Sequence, residues 1–169
     1  MAVTYDKIAS TTLGSAQAGI TFSSIAGTYT DLVMVVTPNP SLRSNYALQF
    51  NSDTGSNYSD TYMNGDGSTT SSSRFSNATE MRCSAQIYGT TENPNGILIL
   101  NFMNYSNTTT YKTVLGRTSV GGGPGNLGVG ADVGLWRSTS AITSIYLFPA
   151  SGGNFNAGTI ATLYGIKAA

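Results

Sequence analysis

Apolar residues in this chain come in short runs, and each run stops at Gly, Pro, Asn or Ser before a helical face can build up. Leu32-Val33-Met34-Val35-Val36 ends at Pro38-Asn39-Pro40, and Ile97-Leu98-Ile99-Leu100 ends in a Ser/Asn/Thr turn at Ser106 to Thr109. No apolar repeat at three and four residues is sustained anywhere, whereas strand-length runs with turn residues between them recur throughout. A helical domain is therefore excluded, and an all-β one follows.

The closing third carries the pattern most clearly. Tyr111 to Arg117, Val133 to Ser138, Ile142 to Pro149 and Gly158 to Ile166 are rich in β-branched and aromatic residues. They are expected to be successive strands onto which the earlier segments fit. Upstream, Tyr5 to Thr12 and Gly19 to Ile25 form a candidate hairpin, with Ile20, Phe22 and Ile25 inward. Tyr29 to Thr37 is apolar enough for a strand buried on both faces, and Asn45 to Asn51 puts Tyr46, Leu48 and Phe50 on one face. Glu80 to Tyr88 alternates with Met81, Cys83, Ala85 and Ile87 together. Asn95-Gly96 is a hairpin signal before a third central strand at Ile97 to Met103. The sum is about ten antiparallel strands in a two-sheet, jelly-roll-like sandwich. At 169 residues this is one domain spanning 1–169.

Ser52 to Asn77 stands apart as a long polar connection of mostly Ser, Thr, Asn, Asp and Gly, a kind of segment that is usually functional. Its Asp53, Tyr58, Asp60, Tyr62, Asp66 and Arg74 are the candidate contact residues. Asp60 to Gly67 superficially resembles a calcium loop, but no downstream bidentate Glu stands at the required offset, and Asp and Asn are also default turn formers. No metal is expected. Gly121 to Gly125 lacks the Gly-Lys-Ser/Thr ending of a phosphate loop and is expected to be a hairpin tip.

Charged residues make up only 9% of the chain, with 8 basic against 8 acidic. No basic field exists to hold a phosphate backbone, so nucleic-acid binding is disfavoured. No apolar run reaches membrane-spanning length. The start lacks the basic and long apolar regions of a secretory signal. With no His and one Cys, Ser-His-Asp triads, HExxH zinc sites and disulfides are removed together. Cys83 is expected to be a small buried hydrophobe. The six acids that could pair for glycoside hydrolysis, Asp53, Asp60, Asp66, Glu80, Glu92 and Asp132, show no spacing that places two across a cleft. No enzymatic activity and no cofactor are expected. A neutral Ser/Thr/Asn surface favours association. Trp136 is either core or a stacking surface for a sugar or a neighbouring subunit, and is the subunit-packing candidate.

Several segments carry a resemblance. They are Tyr5 to Ala9, Phe22 to Ile25, Tyr29 to Leu32, Phe50 to Ser59, Tyr111 to Val114, Gly134 to Ser138 and Ala157 to Ile166. Together they make the chain similar to a group of small structural proteins of tailed bacteriophages, common in phages of marine bacteria and cyanobacteria. That resemblance implies a virion component with a β-sandwich body, usually a homotrimer. It would serve as a capsid decoration (cement) protein on the head surface or as a fibre tip touching a host glycan. The absence of heptads or a separate anchoring module favours the first. The partners implied are the major capsid protein or another virion protein.

Overall fold

A computed structural model describes residues 4–42, 44–83, 96–121 and 127–167, and every described element is a strand or a turn. In chain order the strands are β1 (Tyr5–Thr12), β2 (Ile20–Phe22), β3 (Asp31–Thr37), β4 (Tyr46–Phe50), β5 (Tyr58–Gly65) and β6 (Thr70–Ala78). They continue with β7 (Met81–Arg82), β8 (Gly96–Met103), β9 (Lys112–Gly121), β10 (Leu127–Trp136), β11 (Ile145–Pro149) and β12 (Ile160–Ile166). An eight-stranded sheet runs β1-β12-β3-β8-β9-β10-β5-β6, and a four-stranded sheet runs β2-β11-β4-β7. Among the described residues every pairing between these strands is antiparallel. The protein is an all-β, two-sheet antiparallel sandwich, as the run lengths predict.

Alternation on each strand decides what lies between the sheets. Leu32, Met34 and Val36 of β3, and Leu98, Leu100 and Phe102 of β8, are buried beside Tyr46, Leu48 and Phe50 of β4. Phe50 lies 5.9 Å from Phe102 and 5.4 Å from Trp136, ring centre to ring centre, which ties the small sheet to the large one. Cys83 is buried, as expected for a small hydrophobe, and burial pushes its thiol pKa well up.

Three expectations need correction. Ser52 to Asn77 is not an irregular connection: after a short turn it forms the β5–β6 hairpin, in register from Asp60↔Phe75 to Gly65↔Thr70. Ser and Thr are acceptable strand residues where neither face is covered, and β6 is exposed along most of its length. That hairpin accounts for the excess of twelve strands over ten. Second, β1 and β2 are not a hairpin. β1 pairs with β12 and β2 with β11, and the chain between them crosses from one sheet to the other, pinned by Leu13 to Thr159 and Gln17 to Phe155. Third, the closing third is not one block of sheet: β11 belongs to the small sheet, while β12 is inserted between β1 and β3. The second half of the Glu80 to Tyr88 run, the approach to Asn95-Gly96, and most of the glycine tip lie outside the described residues.

At two crowded inward positions of the large sheet the side chain is deleted. A Cβ on Gly134 would stand 2.2 Å from Met81 Sδ, and one on Gly116 would stand 3.0 Å from an Asp132 carboxylate oxygen. Gly134→Ala should push Met81 and the two-residue β7 outward. The expected cost is about 1–3 kcal/mol, read as a lower midpoint in chemical denaturation, and an unchanged midpoint would refute this account of the contact.

Candidate functional site

The candidate contact residues divide by what the fold does with them. Asp53 and Tyr58 form the fixed base of the hairpin. Trp136 is 2% exposed, and its indole N–H donates to Asp53 Oδ2 at 2.7 Å. Asp53 Oδ1 accepts from the Gly55 N–H at 2.8 Å, and Asn57 Nδ2 donates to both carboxylate oxygens. Burial alone would raise the Asp53 pKa, but these bonds outweigh it and hold the carboxyl below its ordinary value. Tyr58 is buried and stacks on Trp136 at 6.4 Å. Its hydroxyl donates to the Asp53 carbonyl and accepts from the Phe50 N–H, both at 3.0 Å. Burial raises its pKa to about 12. Trp136 therefore packs in its own core and offers no subunit-packing surface.

Arg137 completes the clamp. Its guanidinium donates to Ser59 Oγ, the Ser56 carbonyl and Asn77 Oδ1 at 2.6–2.9 Å. The motifs Phe50 to Ser59 and Gly134 to Ser138, far apart in sequence, are thus two halves of one fastening.

Further out on the hairpin, Tyr62 is half-buried against Phe75, with ring centres 6.3 Å apart, and Arg82 lies over the same Phe75 ring at 4.1 Å. Asp66 caps its own turn through the Ser68 and Thr69 amides, which lower its pKa. Arg74 is exposed opposite Thr61. Tyr62, Asp66 and Arg74 reach the surface, while Tyr58 and Asp60 do not.

Asp60 lies between the sheets at 2% exposure, with Oδ1 accepting the Arg82 N–H at 3.1 Å and Oδ2 buried without a partner. Desolvation raises its pKa to about 6, against partial opposition from the Arg82 hydrogen bond and charge. Asp132 is also buried, two residues along from Gly134, the β10 partner of Asp60. Lys112 is buried with its ammonium donating to the Thr110 and Thr139 carbonyls at 2.7 and 3.2 Å, and burial lowers its pKa. Among the described residues, no group of three or more His, Cys, Asp or Glu could hold a metal ion.

The broadest exposed apolar surface is one the contact candidates do not include. The residues of β8, β9 and β10 that point away from the small sheet are themselves largely apolar. One transverse row reads Val35, Ile99, Arg117, Ala131, Met63, Ser72, and the next reads Tyr164, Val33, Asn101, Leu115, Val133, Thr61. Val129 is 65% exposed, Met63 63%, Leu115 49% and Val133 45%. At one end the sheet encloses an open groove of about 830 Å³, lined by Met63, Ile97, Ile99, Val129 and Ala131, with Arg117 its one cation. Among the described residues Arg117 has no acidic partner, the ion pairs being Arg82 with Glu80 and Lys167 with Asp6. The five strands from β3 to β5 cover on the order of 400 Å² as a flat rectangle. Contiguous apolar patches of that size mark contact surfaces. The sequence signal was present in Ile97-Leu98-Ile99-Leu100, which is apolar on both faces, but continuous apolar character is equally what a fully buried strand shows.

No family model matches the chain, and no curated protein matches it. Among solved structures, the galectin LEC-6 of Caenorhabditis elegans aligns over 94% of this chain and 96% of its own, at 12% identity and a TM-score of 0.36. An aerolysin-like protein of Bombina maxima aligns over 86% and 88%, at 12% identity and a TM-score of 0.11. Likenesses that slight say nothing about ligand or partner.

Two outcomes test the buried polar groups. Trp136→Phe keeps the ring stack but deletes the donor to Asp53, and should cost about 1–3 kcal/mol of unfolding free energy. For Asp60 the folded pKa of about 6 lies above the ordinary 3.8. The folded state therefore binds more protons between those values, and its stability falls as pH rises through that window, by up to about 3 kcal/mol. Asp60→Asn, which keeps an acceptor for Arg82 N–H, should flatten this fall in thermal melts taken from pH 4 to 7. An identical slope in the variant would assign the pH dependence elsewhere.

Proposed function

We propose that the protein is a non-enzymatic structural component of a phage virion, a capsid decoration protein that binds the head surface as an oligomer and stabilises it. The observation that carries this reading is the apolar outer face of the eight-stranded sheet, exposed on the isolated chain and holding a single cation in its groove. A surface of that kind suits permanent cover by a neighbour. The low charge content and zero net charge support the same reading, since they remove the repulsion that keeps free proteins apart. Many copies, each making a modest contact, bind a repeating lattice with high avidity. The buried acids Asp60 and Asp132 face the interior rather than the open groove, which favours a contact surface over a catalytic one.

The head surface, through the major capsid protein, is the partner, and the groove end of the face is the part that meets it. Binding only the assembled state stabilises that state by mass action. Particles lacking the protein should therefore rupture at a lower temperature than complete ones. Val129→Asp should fold with an unchanged melting temperature yet fail to rebind stripped particles. Undiminished rebinding would refute the role of this face. A copy number of a few tens per particle, instead of hundreds, would favour receptor contact at a fibre tip through Tyr62, Asp66 and Arg74.

A further inference from the structure

Asn101 and Arg117 on the outer face have no side-chain partner among the described residues, and their positions are related. Asn101 stands on β8 between Val33 and Leu115, inside the apolar patch, and its side-chain amide makes no hydrogen bond among the described residues. Arg117 stands one strand over and two residues along, in line with Ile99 and Val35. On the opposite diagonal, one strand over and two residues along the other way, is Asp31 at the start of β3. Its Oδ1 accepts the Asn104 N–H at 2.6 Å, which leaves Oδ2 for another donor. Strands about 4.8 Å apart with a rise of about 3.3 Å per residue put Arg117 and Asp31 roughly 16 Å apart. Asn101 lies at their midpoint.

A cation and an anion placed equally on either side of a group that can pair with itself are what a two-fold contact requires, because each copy presents the same patch. We propose that this face self-associates about a two-fold axis through Asn101. Each Arg117 meets Asp31 of the other copy, and the two Asn101 amides bond each other within the apolar surroundings of Val33, Ile99 and Leu115. The proposal rests on the reading above that this face is covered in use, and it names a second copy as the cover of its middle, around Asn101, which leaves the Val129 and Met63 end of the groove for the head surface. An axis across that diagonal brings the two sheets together at a wide angle, in the orthogonal class of sheet packing. Zero net charge sets no long-range barrier to the encounter.

Sedimentation equilibrium on the purified full-length chain tests this. The wild type should be a dimer. Arg117→Glu and Asp31→Lys should each weaken dimerisation about tenfold or more, and the double variant should recover most of that loss, because close charge pairs across an interface are coupled. Asn101→Asp, which would set two carboxylates on the axis, should weaken it as well. Asp31 also holds the Asn104 N–H, so if Asp31→Lys fails to fold, Arg117→Glu and Asn101→Asp decide the matter alone. A protein monomeric up to its solubility limit overturns the proposal, as does an oligomer indifferent to both of those variants. A dimer of the expected sensitivity that never joins particles would remove the virion reading and leave this one. A strict monomer that binds particles would do the reverse.

Discussion

The hydrogen bond from the Trp136 indole to Asp53 joins the end of β10 to the turn that opens the β5–β6 hairpin, and the rest of the molecule is arranged around it. Indole is a large apolar group with one donor, so burying it requires an acceptor. Asp53 supplies one, and it is itself ordered by Gly55 and Asn57. The neighbouring Arg137 then binds the same turn from outside through Ser56 and Ser59. Each element alone is an ordinary turn or strand end. Joined, they fix the register of β10 against β5 and hold the hairpin out as a continuation of the large sheet.

That extension explains the imbalance of the sandwich. Four strands cannot cover the inner face of eight, so the hairpin runs beyond the small sheet and must survive with little burial. It does so through surface devices: the Tyr62–Phe75 ring pair, Arg82 over Phe75, and the capped turn at Asp66. At Asn77 a positive φ of 55° accompanies the register shift between Tyr58 and Asp60, which bends one end of the β6 edge. A bent edge is a poor template for pairing with another strand. Association through the sheet face is therefore better supported by the structure than association along this edge.

How much of this could be read from the residues depends on how local the signal is. Strand identity was legible wherever alternation placed one face in the core, as in Tyr46, Leu48 and Phe50, and the sandwich class followed from those runs. Pairing was not legible. Nothing in Tyr5 to Thr12 indicates that its partner is β12, more than 140 residues later, because pairing is set by tertiary packing rather than by the strand's own pattern. The β5–β6 hairpin was hidden because Ser-rich strands exposed on both faces lose the alternation that identifies strands. The Trp136–Asp53 fastening was invisible for the same non-local reason, although both residues stand out in the sequence, Trp136 as core or a subunit-packing surface and Asp53 as a contact residue. The outer apolar face was present in Ile97 to Leu100 and in Val133 with Leu135, but a one-dimensional pattern cannot say which side of a strand finds a second sheet.

Charge is where the fold is most selective. Of the described acids, Asp6 pairs with Lys167, Asp31 accepts from Asn104, and Glu80 lies beside Arg82. Asp53 and Asp66 are bound into their turns, and Asp60 and Asp132 are buried. In a chain with so few charges, each described acid is committed to a local structural task, and much of the surface between them is left to neutral hydroxyls and amides. Screening by salt acts on exposed charges, so a contact built mostly from apolar area and neutral polar groups varies little with ionic strength. Arg117 is not bound in this way. It is an exposed cation set in the middle of apolar side chains, with no acidic partner among the described residues, and the desolvation cost of covering it is recovered only if the covering surface brings a carboxylate to it. That single requirement restricts which surfaces can close over the sheet far more than its apolar area does.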